Sequence, residues 1–565
     1  MSRTSKFVFV ALAAVALAEC AAFAIGANSA AAQPKQISNP DAQPMQDQHC
    51  VALGGLHLDS VEILSATAES ANAPVAGVFM PDMTGAATTP LKGLPPFCRV
   101  IGKIHPEPDS DINFEVWLPV QWDGRLNGAG NGGFAGTIDY MTMSGAVTHG
   151  QVAAGTDTGH QGAATDGSWA KDHPARIRDF GWRAIHLTAV TAKELISDFY
   201  GRKPDHSYFA ACSDGGREAL MEASRFPDDY DGISAGAPAA NITDLAMSMI
   251  WTVQSQMPPN APIRDDQVPL LQAEVLKQCD TLDGQADGLV ADARACKLDV
   301  SKLACGINAS PACFAPEQVK ALRSIYAGPH DSRGHLLEPP YTASGAEVDN
   351  PWGFGYGSWM FGKKGSPASH AIYPAELLQY FTHMPTTVAS FNWDKDPVRL
   401  RAALSADLDV QPNLRRYFER GGKLVIYHGW ADPAIPPGAT LNFYKAMLQR
   451  SGPLARKHTR LFMIPGMQHC FGGTGPAFFG EGSVPAEDTS PEQNIIAALQ
   501  DWVEKERIPE TLIGTFFDWK ILMTAVKGDA LPPDSKQRLI CAYPQKTVLR
   551  AGQDPDKAAS YTCRS

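Results

Sequence analysis

Ser207-Tyr208-Phe209-Ala210-Ala211-Cys212-Ser213-Asp214-Gly215-Gly216-Arg217-Glu218-Ala219-Leu220-Met221-Glu222-Ala223 is the stretch whose reading decides this chain. Its first five residues form a short apolar run that predicts a buried strand, and Arg217 to Arg225 carries the spacing of a helix. Between them lies a turn of small residues. Ala211 stands two before Ser213 and Gly215 two after it. That is the pattern of a sharp strand-to-helix turn that presents a nucleophilic hydroxyl. The turn sets Oγ at a helix N-terminus, where backbone N–H groups and the helix dipole favour negative charge. The N–H of Asp214 then becomes one donor to a developing oxyanion. A plain helix N-cap would look the same locally, so the partners decide.

Outward from this turn, strands alternate with helices. Phe114 to Val120 reads as a strand, Ala184 to Phe199 as a helix, and Gly232 to Ala237 as a short strand or turn. After about residue 400 the alternation resumes. Lys423 to His428 reads as a strand, Thr440 to Arg450 as a helix, Arg460 to Ile464 as a strand and Ile495 to Glu506 as a helix. Such alternation implies a mostly parallel sheet covered on both faces. Between 241 and 400 it is lost, and that stretch holds four cysteines with clusters of Trp, Pro and Gly. The expected organisation is a leader over 1–32, a core over 33–240 and 401–565, and an insertion over 241–400.

The partners follow in chain order. Asp432 lies in Gly429-Trp430-Ala431-Asp432, just past the strand ending at His428. His469 lies in Pro465-Gly466-Met467-Gln468-His469, just past the strand ending near Ile464. The order Ser, acid, His on loops beyond strand ends is that of an α/β-hydrolase triad. His469 would take the Ser213 proton, and Asp432 would fix the imidazole tautomer and stabilise the imidazolium. The literal G-x-S-x-G match, Gly232-Ile233-Ser234-Ala235-Gly236, is a decoy: Pro238 cuts short any helix after it, and Ser234 reads as a packed strand residue. Gly128-Ala129-Gly130-Asn131-Gly132-Gly133 contains GxGxxG, but Phe134-Ala135-Gly136-Thr137 is a poor helix start, which argues against a dinucleotide site. A loop supplying a second oxyanion N–H is the better reading.

The chain has 565 residues, 44% hydrophobic and 19% charged, enough apolar content to bury a sizeable core. A formal net charge of −12 gives no basic footprint for nucleic acid or an anionic membrane. Arg3 and Lys6 precede an apolar run from Phe7 to Ala18, too short to span a bilayer, and Ala30-Ala31-Ala32 offers cleavage positions. The expectation is a cleaved leader, a mature start near Gln33, and a secreted or periplasmic protein. Of eleven cysteines, Cys20 falls in that leader. The other ten suit an oxidising compartment, and no CxxC pair points to zinc. Sequence does not fix their connectivity. Pairing neighbours gives Cys50–Cys98, Cys279–Cys296, Cys305–Cys313 and Cys541–Cys563, leaving Cys212 and Cys470. Cys212 precedes the candidate nucleophile and Cys470 follows the candidate base, so a triad would bring these two within reach of each other.

Cys212-Ser213, Asp432 and His469-Cys470 together resemble the signature of the tannase and feruloyl esterase family, which includes hydrolases of terephthalate monoesters. Gly155 to His160, Ala210 to Arg217 and Gly236 to Ala239 support the likeness, which extends over about 45–565. Asp214 and Gln468 depart mildly from the family's usual residues. The resemblance implies an α/β-hydrolase core with a large inserted lid domain, a Cys212–Cys470 bridge beside the four local ones, and Gly132 as the second oxyanion donor, with Gly133 next.

Cys279-Asp280-Thr281-Leu282-Asp283-Gly284-Gln285-Ala286-Asp287-Gly288-Leu289-Val290-Ala291-Asp292 packs four aspartates into a loop with turn glycines. Converging carboxylates repel unless a hard cation neutralises them, and the spacing is not that of an EF-hand. The resemblance implies structural Ca²⁺ held by the side chains of Asp280, Asp283 and Asp287 and the carbonyls of Gln285 and Leu289. For the acyl pocket, Trp251, Tyr356, Trp359 and Phe361 are the aromatic candidates, Trp359 and Trp251 foremost. No arginine lies near Tyr356 to Gly362, although Lys363 and Lys364 do. The resemblance implies a lid arginine for the free carboxylate in relatives that act on terephthalate monoesters, so its lack here favours hydroxycinnamic or gallic esters. The expected protein is a monomeric serine esterase acting on small or polymer-linked aromatic esters, with no nucleic-acid or membrane partner. The non-enzyme alternative is a calcium-dependent polymer-binding module.

Overall fold

The computed structural model describes residues 42–81, 88–306, 313–350, 353–480, 490–516, 518, 532 and 534–565. The expected leader over 1–32, its cleavage point near Gln33 and Cys20 lie outside the described residues.

Nine strands form the main sheet: β1 (Val61–Glu69), β2 (Phe97–Ile104), β3 (Ile112–Pro119), β4 (Arg125–Gly128), β5 (Val152–Thr156), β6 (His206–Cys212), β7 (Gly232–Gly236), β8 (Lys423–Gly429) and β9 (Thr459–Ile464). Their spatial order is β1-β2-β3-β5-β4-β6-β7-β8-β9. The first three and β5 pair antiparallel. From β5 to β9 all neighbours run parallel. β8 is buried along its whole length, as a parallel strand covered on both faces must be. Its side chains alternate between two cores. Leu424 and Ile426 join Phe209, Ile233 and Leu461 on one face. Val425 and Tyr427 join Phe462, Leu499 and Trp502 on the other.

Helices close these faces near their expected bounds. One spans Ala184–Tyr200 and stops at Gly201, whose φ of 70° makes the left-handed C-cap that glycine adopts without strain. Another, Ile495–Lys505, starts where the Asn494 side chain accepts the N–H groups of Ile496 and Ala497. The remaining pair are Asp214–Arg225 and Pro437–Ser451. This is an α/β-hydrolase core carrying a large insertion. The inserted chain leaves and rejoins at one point: Val410 N–H donates to Ala240 O at 2.8 Å, and Asn241 bridges to Asp409. Its first helix, Ile242–Ser255, packs Ala246, Met247 and Ile250 against Leu400, Leu404 and Leu408 of its last, Asp396–Leu408.

The disulfides among the described residues join Cys50 to Cys98, Cys212 to Cys470, Cys279 to Cys296, Cys305 to Cys313 and Cys541 to Cys563. Among those residues no helix is long and apolar enough to cross a membrane.

Candidate active site

Ser213 is the single residue between the end of β6 and the helix Asp214–Arg225. Its φ of 66° and ψ of −121° lie where L-residues are strained. Backbone bonds hold it there. Ser213 N–H donates to Gly236 O at 2.9 Å, and Ser213 O accepts from Ala239 N–H at 3.0 Å and Arg217 N–H at 3.1 Å. The glycines after it are required by crowding. A Cβ on Gly215 would lie 2.6 Å from Ala211 Cβ, and one on Gly216 would lie 2.4 Å from Gly236 O. Ser234, by contrast, is buried inside β7.

The other two chain-ordered residues reach the same rim. His469 Nε2 is 2.8 Å from Ser213 Oγ, and His469 Nδ1 is 2.8 Å from Asp432 Oδ2. Trp430 N–H donates to Ile464 O and Ala431 N–H to Met467 O, both at 2.9 Å, which ties the aspartate loop to the histidine loop. Asp432 Oδ1 accepts from Ala434 N–H at 2.8 Å and Ile435 N–H at 2.9 Å. A second imidazole, His428 Nε2, stands 3.1 Å from Oδ2. Burial pushes the Asp432 carboxyl up, but the charge of His469 and hydrogen bonds from both histidines outweigh it and hold the group well below the usual carboxylate range. Cys212 and Cys470 are joined with Cα atoms 5.8 Å apart, so the residue before the serine is bonded to the residue after the histidine.

Asp214 and Gly132 both border the cavity at Ser213. Among the described residues neither backbone N–H has a hydrogen-bond acceptor. The Asp214 carboxylate is taken by buried Arg217, at 2.6 and 3.0 Å, so the residue's free polar group is its N–H. The glycine run 128–133 does not open a helix directly: irregular chain continues to Asp139, which caps the helix Tyr140–Thr148, and this does not match the strand–glycine-loop–helix of a dinucleotide cradle.

The cavity measures about 660 Å³. Its walls include Phe134, Met249, Trp359, Tyr373, Leu377 and Phe471, and among the described lining residues there is no lysine or arginine. Trp359 stacks on Tyr373 at 6.1 Å and stands edge-on to His469 at 5.2 Å between ring centroids. Trp251 is not part of it, which corrects the expectation. Its indole Nε1–H donates to Ser324 O and its ring meets Trp393 edge-on, so it joins elements of the insertion to one another. Tyr356 is buried with its hydroxyl donating to Thr342 O, and Phe361 packs beside it.

The acidic loop is folded on its own backbone. Asp280 Oδ1 accepts from the N–H groups of Asp287, Gly288 and Leu289, at 3.2, 3.0 and 3.2 Å. Asp283 Oδ1 accepts from Gln285 N–H at 3.0 Å, while Asp287 pairs with Arg538. Burial, reinforced by the charge of Asp287, raises the Asp283 carboxyl. The buried Gln285 Oε1 has no partner. An all-oxygen donor set with an orphaned oxygen fits a hard cation in kind. Elsewhere His186, Glu222 and Asp229 bring ligand atoms within 4.8 Å of one another. There the Lys193 ammonium already supplies a cation, donating to Asp229 O at 2.5 Å.

Sequence reading missed His428 and Tyr373. A histidine at the end of a wholly buried strand is the one signal that was available for His428.

Comparison with known proteins places the chain. The family model described as tannase and feruloyl esterase matches residues 98–564. An uncharacterized esterase of Xanthomonas campestris pv. campestris is 33% identical over 546 residues, 91% of each chain. A protein of Aspergillus flavus named probable feruloyl esterase B-2 is 33% identical, over 74% of this chain and 80% of its own. The crystal structure of feruloyl esterase B from Aspergillus oryzae superposes with a TM-score of 0.79 at 25% identity, covering 92% of this chain and 100% of that one. The chain belongs to the tannase and feruloyl esterase family of carboxylic ester hydrolases.

Proposed function

We propose that this protein is an exported serine esterase that hydrolyses esters of hydroxycinnamic or gallic acids through an acyl-enzyme on Ser213. The observation that carries the reading is the unbroken chain from Ser213 Oγ to His469 Nε2 and from His469 Nδ1 to Asp432 Oδ2, each contact 2.8 Å. His469 Nε2 takes the hydroxyl proton as Oγ attacks the ester carbonyl carbon. The negative charge on the former carbonyl oxygen is received by the N–H groups of Asp214 and Gly132. Collapse breaks the bond to the alcohol oxygen, which leaves with the proton from His469. Water then attacks the acyl-serine by the same route in reverse and frees the aromatic acid.

The cavity supports the choice of acid. Phe134, Trp359, Tyr373 and Phe471 offer ring faces to an aromatic acyl group. With no lysine or arginine on the described wall, a free carboxylate on the far end of the ring, as in terephthalate monoesters, would be desolvated without a counter-charge. The five disulfides favour an oxidising compartment, which is the support for export. Structural Ca²⁺ on Asp280, Asp283, Asp287, Gln285 and Leu289 is part of the same proposal, supported by the oxygen donor set and by the Cys279–Cys296 bridge that encloses the loop.

The test is turnover of methyl ferulate, methyl gallate and a p-nitrophenyl ester, with labelling by a fluorophosphonate probe. Ser213→Ala should abolish turnover and labelling, while Ser234→Ala should keep both. Turnover surviving in Ser213→Ala would overturn the mechanism.

A further inference from the structure

We infer that Glu218 is the positioning residue of the oxyanion pocket, fixing the distance between its two N–H donors by gripping the loop that carries one to the helix that carries the other. The inference rests on the hydrolytic reading of Ser213. Glu218 is wholly buried on the helix that begins at Asp214. Its Oε2 accepts the N–H of Asn131 at 2.9 Å. The carbonyl of the same residue, Asn131, accepts the N–H of Gly215 at 2.8 Å. The peptide groups on either side of Asn131 are thus both bonded to the nucleophile helix, and the next residue is Gly132. The Asn131 amide completes the clamp by donating to Thr137 O at 2.7 Å and Thr156 O at 3.0 Å.

The packing around this contact leaves no slack. A Cβ on Gly130 would lie 2.6 Å from Ala211 Cβ and 2.9 Å from Glu218 Oε2. Glu218 Oε1 is buried with no partner, so the one oxygen that touches Asn131 is the group's entire hydrogen bonding. A carboxyl that merely filled core would be a poor choice there, because burying it with a bare oxygen is unfavourable. Burial and the nearby charge of Asp214 raise its pKa, against the opposing effect of Arg217.

The test compares Glu218→Gln, which keeps an oxygen for Asn131, with Glu218→Val, which does not, using Ser213→Ala as the reference for a dead site. Steady-state kinetics on methyl ferulate are read beside affinity for a phenylboronate, which forms a tetrahedral adduct, and for free ferulate. Glu218→Val should lose about 100-fold in kcat with KM changed less than about twofold, because the loss falls on transition-state stabilisation. Phenylboronate affinity should fall in parallel and ferulate affinity should hold. Glu218→Gln should recover most of kcat. A folded Glu218→Val with wild-type kcat, or a Gln variant no better than Val, overturns the inference. If the Val variant does not fold, Gly130→Ala crowds the same contact and should give the same split, and wild-type kcat there also overturns it. Turnover by Ser213→Ala would instead mean that the reading of the site itself has failed.

Discussion

Ser213 and Cys470 share an uncommon backbone angle: φ is 66° at both, and the first is a member of the bonded pair Ser213–His469 while the second directly follows the other member. Non-glycine residues in this region store strain of about 1–3 kcal/mol each. At Ser213 the strain aims a hydroxyl at an imidazole.

Removing the hydroxyl and removing the strain are therefore separable. Ser213→Ala and Ser213→Gly should both be inactive, but the glycine variant should be more stable by about 1 kcal/mol, since it alone adopts the angle freely. Chemical denaturation of the two variants side by side measures the difference. Equal stability would show that the turn is unstrained.

The bridge beside this turn closes a long loop. Cys212 and Cys470 are 258 residues apart, which the chain-entropy model converts to about 5.6 kcal/mol as an upper figure. The Cys212→Ala/Cys470→Ala double variant should unfold at clearly lower denaturant. Its kcat should fall more than its KM rises, because the bridge joins the serine turn to the histidine loop. A variant with unchanged kcat would reduce the bridge to a staple.

Two tryptophans expected to act alike should separate. Trp359→Ala should raise KM for methyl ferulate by about tenfold, losing a stacked ring worth about 1.4 kcal/mol. Trp251→Ala should leave KM unchanged and lower stability by about 2 kcal/mol, since it removes packing within the insertion. Kinetics and thermal melts on both variants check this.

Asp157 gives a pH signature of defined sign. Burial raises its carboxyl from 3.8 to about 6, against hydrogen bonds from Asn113 and Gly159. In that window the folded state holds a proton that the unfolded state has released. Stability from this group is therefore greatest below pH 4, falls as pH rises to about 6, and is level above. Asp157→Asn should lack this component, so its stability relative to wild type should climb between pH 4 and 6 and then flatten. Denaturation at pH 4, 5, 6 and 7 checks it, and a flat difference would show that the carboxyl is not raised.

The acidic loop supplies a metal-removal test. A calcium chelator should lower the melting temperature of wild type, and added Ca²⁺ should restore it. Asp283→Asn should melt lower at the outset and respond less to either treatment. A wild-type melt indifferent to the chelator would count against the site.

The elbow and its partners were legible because their signals are local. Small residues flank Ser213, and Asp432 and His469 each follow an apolar strand. What was not legible depends on packing between distant segments. β1 has a half-exposed face and no clean alternation, so it did not read as a strand. Trp251 lies on an apolar helical run and Trp359 among Phe354, Tyr356 and Phe361, and only the seating of the insertion on the core decides which one sees His469. Glu218 reads as an ordinary residue on a helical run, because its partner is a peptide N–H 87 residues earlier.

The insertion leaves and returns through the contact between Ala240 and Val410, while Ser213, Asp432 and His469 all lie outside it. The wall above the serine is shared: Met249, Trp359, Tyr373 and Leu377 come from the insertion, and Phe134 and Phe471 from the core. Because the inserted segment begins and ends at a common stem, its four side chains can vary in shape over a reaction centre whose own three residues are anchored elsewhere.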